Sequence, residues 1–363
     1  MSLRKIARCI LFSFTLPLLV GCGGGMGTPS NPTPSPIAVA RFALVPNSVS
    51  NSISIFAVDA QTGQLTPKNT VPTGGLKPGV IAVEPSGHFA YVANVDSNDI
   101  SIFAIDASTG GLTMLGSPVP ADSPHSIVVG PAGTILYVVN QNSNHITGFS
   151  INANTGTLTP LTGSVPTDAA PVQLTLHPSG HFAYVPNFND NDVTVYRIDN
   201  SGALGLLGAT PVGLSLSSIG MHPSGKFAYV TSLASNEVTT FSIDQTSGAL
   251  TKVGEPVASG DSPTSVTVDP GGRFAYVTNA IASSVSVFVI DANTGALTPK
   301  STVSAGTIPV ALALDASGRF AYVANSVSGN VSLFAIDSST GALTPVGQPF
   351  NAGSGPAAVV LIK

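Results

Sequence analysis

The chain has 363 residues, of which 9% are charged, with 13 Lys or Arg against 18 Asp or Glu and a formal net charge of −5. No basic run or stripe offers a footprint for nucleic acid, and an apolar fraction of 43% excludes a disordered chain. Abundant Gly (38) and Pro (29), with few charges and many Val, Ser and Thr, fit an all-β protein.

In chain order, the first element is a leader. Arg4, Lys5 and Arg8 form a basic segment, and Ile10 to Leu19 an apolar run too short to span a bilayer. It ends in Leu19-Val20-Gly21-Cys22, which resembles the lipobox of bacterial lipoproteins. The resemblance implies a signal peptide over 1–21, lipidation of the Cys22 thiol, and attachment to a membrane of the cell envelope. Gly23 is not the Asp that resembles an inner-membrane retention signal, so an outer-membrane or surface location is expected. Cys9 is lost with the leader, which leaves Cys22 as the one cysteine and no intramolecular disulfide. Residues 22–36 are a Gly- then Pro-rich tether, with almost nothing to bury. Extended, it reaches about 45–50 Å at roughly 3.3–3.6 Å per residue.

From residue 37 the chain repeats. Related segments begin at Phe42, Phe89, Ile135, Phe182, Phe227, Phe274 and Phe320. In the second copy, Val80–Glu84 reads as a strand (a) and Pro85-Ser86-Gly87 as a turn. Phe89–Asn94 is strand b, Ile100–Ile105 strand c and Leu112 onward strand d, with an Asp106-to-Gly110 hairpin between c and d. Seven such copies predict an all-β, seven-bladed β-propeller of four-stranded blades over 37–363. The first copy lacks strand a, and Gly355 to Leu361 matches strand a and then stops. The C-terminal strand is therefore expected to complete the N-terminal blade, hiding its edges.

The repeat also sorts the chemical residues. His88 and His181 share a slot with Arg41, Lys226, Arg273 and Arg319, and His177 and His222 share one with Glu84, Asp269 and Asp315. His145 shares a loop slot with Asp99, Asp192 and Glu237. These five read as structural turn positions, not metal ligands. His125 breaks its slot, whose other occupants are Gly79, Val172, Ser217, Thr264, Val310 and Ala357. It is the candidate catalytic residue, at the entrance to the innermost strand. Lys77, Asp122, Asp168, Phe188, Asp190 and Asp261 lie in loops of the same face and are the candidate ligand contacts, giving a mildly acidic mouth. No metal site, phosphate loop or nucleophile elbow is present, and nothing calls for a cofactor.

The blade text, as in Val285-Ser286-Val287-Phe288 through Asp291, Thr294-Gly295 and Leu297, with Pro85-Ser86-Gly87-His88-Phe89-Ala90-Tyr91-Val92-Ala93-Asn94, is similar to the lactonase-type seven-bladed propellers. That family includes bacterial 6-phosphogluconolactonase and the fungal muconate-lactonizing enzyme. Tyr276-Val277-Thr278-Asn279 also resembles surface propellers named for that strand. The resemblance covers residues 41–363 and implies, if the chain is an enzyme, a lactonase. The family's His matches His125 in Pro124-His125-Ser126. Its Arg one blade on falls on Val172, its Glu falls on Phe188, and a further Arg has no counterpart. The expected function is a non-catalytic module that binds an unknown small molecule or protein through the mouth. The alternatives are a lactone hydrolase and a purely structural envelope protein.

Overall fold

The computed structural model describes residues 41–362, and the leader, Cys22 and the tether lie outside them. Alternation of short apolar strands with Gly- and Asp-containing turns produces seven antiparallel sheets, each ordered d-c-b-a. Blade 2 is representative: strand a is Pro78–Val83, b Phe89–Asn94, c Asp99–Ile105, and d Leu112–Met114 with Val119–Pro120. Strand d is split in this way in blades 2, 5 and 7, where Gly116-Ser117-Pro118, Gly254-Glu255-Pro256 and Gly347-Gln348-Pro349 interrupt it. The proline cannot donate to the ladder, and the glycine before it turns at positive φ.

Strands a of neighbouring blades pack side by side around the axis, so they are innermost. Seven apolar clusters fill the seven blade boundaries. Strand b is therefore buried on both faces in nearly every blade, as its unbroken apolar text requires. Each strand b tyrosine donates its hydroxyl to a glycine carbonyl in the next blade's c–d hairpin. The series runs Tyr91–Gly156, Tyr137–Gly202, Tyr184–Gly248, Tyr229–Gly295, Tyr276–Gly341 and Tyr322–Gly63, at 2.7–3.1 Å. Blade 1 carries Leu44 in this slot, opposite Ile55 of strand c, and makes no such bond.

The ring closes as the sequence implies. Leu361 pairs with Ala43 and Ile362 with Phe42, and Pro356 bridges Asn47, so residues 356–362 supply strand a of blade 1. Tyr322 of blade 7 reaching Gly63 of blade 1, and the cluster joining Phe56 to Phe320 and Leu333, seal the same seam.

Candidate functional site

The entrance to strand a is a β-bulge. In blade 3, Pro124 pairs with Asn140 and Ser126 with Val139, which leaves His125 as the extra residue. Gly79, Ser217, Thr264 and Val310 are extra in the same way. A bulge re-aims one side chain, and here it turns the slot toward the neighbouring blade. Ser217 Oγ donates to the Pro263 carbonyl at 2.6 Å and Thr264 Oγ1 to the Pro309 carbonyl at 2.9 Å. His125 does likewise, with Nδ1 2.9 Å from the Val172 carbonyl. A carbonyl only accepts, so Nδ1 carries the proton and Nε2 of the neutral ring keeps its lone pair. Nε2 has no hydrogen-bond partner among the described residues.

His125 lines a cleft of about 630 Å³ at the mouth, formed by blades 3, 4 and 5. Blade 3 contributes Gln141, Asn142 and Asn144 from its b–c loop. Blade 4 contributes Val172, Phe188 and Asn189, and blade 5 contributes Leu216, Ser217 and Leu233. The blade 4 wall is braced by backbone bonds. Phe188 N–H donates to the Ala170 carbonyl at 2.9 Å and Asn189 N–H to the Ala169 carbonyl at 3.2 Å. Asp190 Oδ2 accepts from Ala169 N–H at 2.6 Å, and Asn144 Oδ1 accepts from Ala170 N–H at 2.9 Å. These bonds hold Ala170 at φ +57, a conformation a residue with a Cβ adopts only when its surroundings fix it. Phe188 is 37% exposed on this fixed wall.

Of the residues singled out from the sequence, the structure brings His125 and Phe188 into one cleft. The others lie outside its lining. Lys77 pairs with Asp96 at 3.2 Å, both well exposed, at the boundary of blades 1 and 2. Asp122 is exposed, and its backbone N–H donates to Asn140 Oδ1. Asp261 Oδ1 accepts from Asn236 Nδ2. Asp168 accepts from Thr194 Oγ1 behind the blade 4 wall, and with Asp190 it faces Asp192. Burial raises the Asp192 carboxyl above its ordinary range; the Asn187 amide opposes this, and the Asp168 and Asp190 charges add to it. His125 hydrogen-bonds none of these carboxylates. Among the described residues, no group of three His, Cys, Asp or Glu is placed to hold a metal.

The amides Gln141, Asn142, Asn144 and Asn189 were not singled out from the sequence. One signal was available: Gln141 is a long polar side chain in a slot otherwise filled by Ser48, Val95, Phe188, Leu233, Ala280 and Ser326. The far side of the same face differs in character. There Val49, Ile281 and Val327 occupy one loop slot on the consecutive blades 6, 7 and 1, all exposed.

The family model described as lactonase, 7-bladed beta-propeller matches residues 25–129, 118–172, 164–268 and 258–361. No curated protein matches the sequence. Among solved structures, the chain is similar to a putative 6-phosphogluconolactonase from Bacteroides fragilis, at 21% identity and TM-score 0.79, covering 91% of this chain and 100% of that one. It is also similar to a periplasmic gluconolactonase from Pseudomonas aeruginosa, at 21% identity and TM-score 0.76, covering 90% and 99%. A protein from Lactobacillus plantarum aligns at 21% identity and TM-score 0.80, covering 90% and 100%.

Proposed function

Because the chain belongs to the seven-bladed β-propeller lactonase family, we propose that it is an envelope-tethered member whose mouth cleft binds a small molecule without turning it over. The lipobox-like segment ending at Cys22 and the following tether support delivery to a membrane surface. The observation that carries the reading is the cleft's lining. The slots that would hold the family's Arg and Glu hold Val172 and Phe188, and both line the cleft beside His125. Ester hydrolysis needs a stabiliser for the developing oxyanion and a placed acid or base. Here only His125 could fill the second role, and no cationic side chain is among the lining residues.

A second reading is lactone hydrolysis, and the His125 geometry favours it. Nδ1 is anchored on a carbonyl and Nε2 is free to accept a proton. Water would lose a proton to Nε2 while its oxygen attacks the lactone carbonyl. The ring C–O bond then breaks and the proton passes to the leaving alkoxide. A panel of sugar and aliphatic lactones, assayed with wild type and His125→Ala, separates the two. The binding reading expects no turnover above buffer in either protein. Turnover abolished in His125→Ala would establish the hydrolase instead.

A further inference from the structure

We infer that the outer edge of blade 4 docks a second copy of this chain, the two strands d pairing antiparallel across a twofold axis. In each blade strand d ends the sheet and has no strand on its outer side. Such an edge offers unpaired backbone groups to any other strand, and proteins blunt it with proline, lysine or an interruption.

The seven blades provide the comparison. Blades 2, 5 and 7 break strand d with the Gly-x-Pro segments described above. Blade 1 carries Thr66-Pro67-Lys68 in its unbroken strand, blade 6 carries Thr298-Pro299-Lys300, and blade 3 carries Thr159-Pro160. Among the described strands, blade 4 alone has an unbroken strand d, Leu204–Pro211, with no charge and no proline before its last residue. The same three slots there hold Gly205-Leu206-Leu207. Leu207 is the extra residue of a β-bulge, as Lys68 and Lys300 are in theirs. Leu206 is 54% exposed and Leu207 48%.

Gly205 is not required by the packing of its own blade. A Cβ there would meet nothing nearer than the Arg197 carbonyl at 4.0 Å, and the other six blades hold Thr in this slot. A glycine within a strand, with open space beside it, suits the close approach of another backbone.

Two features make the occupant a second copy. Leu204-Gly205-Leu206-Leu207-Gly208-Ala209 reads nearly alike in both directions. Antiparallel self-pairing about its centre therefore sets leucine against leucine and glycine against glycine, and it uses the edge of both copies, so assembly stops at two. The chain is also net negative, at −5, and like-charged copies approach most easily through an uncharged edge. Arg197, on the adjoining strand c, donates to the Thr246 carbonyl of blade 5 at 3.2 Å and lies over the Phe182 ring. The apolar rim continues onto blade 3, where Leu161 lines a groove of about 180 Å³ with Val165 and Leu204.

Sedimentation velocity of the full chain, reduced and in density-matched detergent at about 10 μM, should show a dimer. Gly205→Thr, Leu206→Pro and Leu207→Lys together give blade 4 the text of blades 1 and 6, and this variant should be a monomer with an unchanged melting curve. Leu207→Lys alone should weaken the dimer at least about tenfold, and it decides the matter if the triple variant melts lower. Leu207→Cys should form an intermolecular disulfide that Lys300→Cys, in the same slot of blade 6, does not. A monomeric wild type would overturn the inference, and so would a dimer that survives Leu207→Lys at full strength. Equal cross-linking of the two cysteines would place the contact elsewhere and sink the blade 4 edge.

Discussion

At the residue scale, one buried slot at the end of strand a takes His177, His222 or Glu84, and each closes the same turn. His177 and His222 were read from the sequence as turn residues, and they are buried. Each donates from Nε2 to the carbonyl of the next blade's Gly225 or Gly272 at 2.9 Å, and accepts at Nδ1 from the N–H of Ser179 or Ser224 at 3.1 Å. Glu84 fills the equivalent slot with a carboxylate. Burial opposes its ionisation, but hydrogen bonds from Ser86, His88 and Phe89 outweigh that and hold the carboxyl below its ordinary range. Its contribution to stability is present above the ordinary carboxylate pKa and is lost as pH falls through the lowered value. Asp192 has the opposite sign: with a raised pKa, it favours folding while protonated, and that favour is lost as pH rises. Asp168→Asn removes one repelling charge beside Asp192, so it should stabilise the protein at pH 7 by up to about 1 kcal/mol. The gain should fade as Asp192 protonates in acid. Urea unfolding at pH 7 and pH 4 checks both, and a loss of stability at pH 7 would contradict the assignment.

At the element scale, the c–d hairpin ties each blade to its neighbour. In six blades its aspartate, and in blade 3 Asn152, accepts backbone N–H groups from the following residues, as Asp59 does from Gln61 and Thr62. In Asp337, the Ser339 hydroxyl and then the Ser339 and Thr340 backbone lower the carboxyl to about 2. The hairpin glycine has two constraints. Gly63 sits at φ +72, and a Cβ there would lie 2.6 Å from the Phe320 ring, while its carbonyl receives the Tyr322 hydroxyl. Gly63→Ala should therefore cost about 2–4 kcal/mol, through backbone strain and through displacement of Phe320 from the closing seam. Denaturant midpoints measure it, and a change below about 0.5 kcal/mol would show that the hairpin is not a constrained joint. These hairpins were legible in the sequence because their Asp and Gly recur at fixed offsets. The inter-blade partners were not, since Tyr91 and Gly156 lie 65 residues apart and only blade stacking brings them together.

At the scale of the whole molecule, closure makes stability a property of the ring. Strand a of blade 1 comes from residues 356–362, and its loss would bare Phe42 and Leu44 along one edge. Deleting Ala357 to Lys363 should lower the melting temperature by about 10 °C or more, or leave an aggregating product, because each blade packs only on its neighbours. An unchanged calorimetric transition would refute a closed ring held at that seam. The sequence by itself determined the blade count, the strand order within a blade and the splice of the two termini. Those follow from local apolar periodicity and turn chemistry, which a repeat states seven times over. It also marked His125 and Phe188, because each departs from its slot. Only the tertiary structure decided that these two share a cleft while Lys77, Asp122, Asp168, Asp190 and Asp261 lie outside its lining. It alone gathered four carboxamides from two blades around them. The physical reason is that a site at a propeller mouth is assembled from loops of different blades. Their convergence is fixed by the curvature of the ring and the bulge at strand a, and neither leaves a mark in any single segment of sequence.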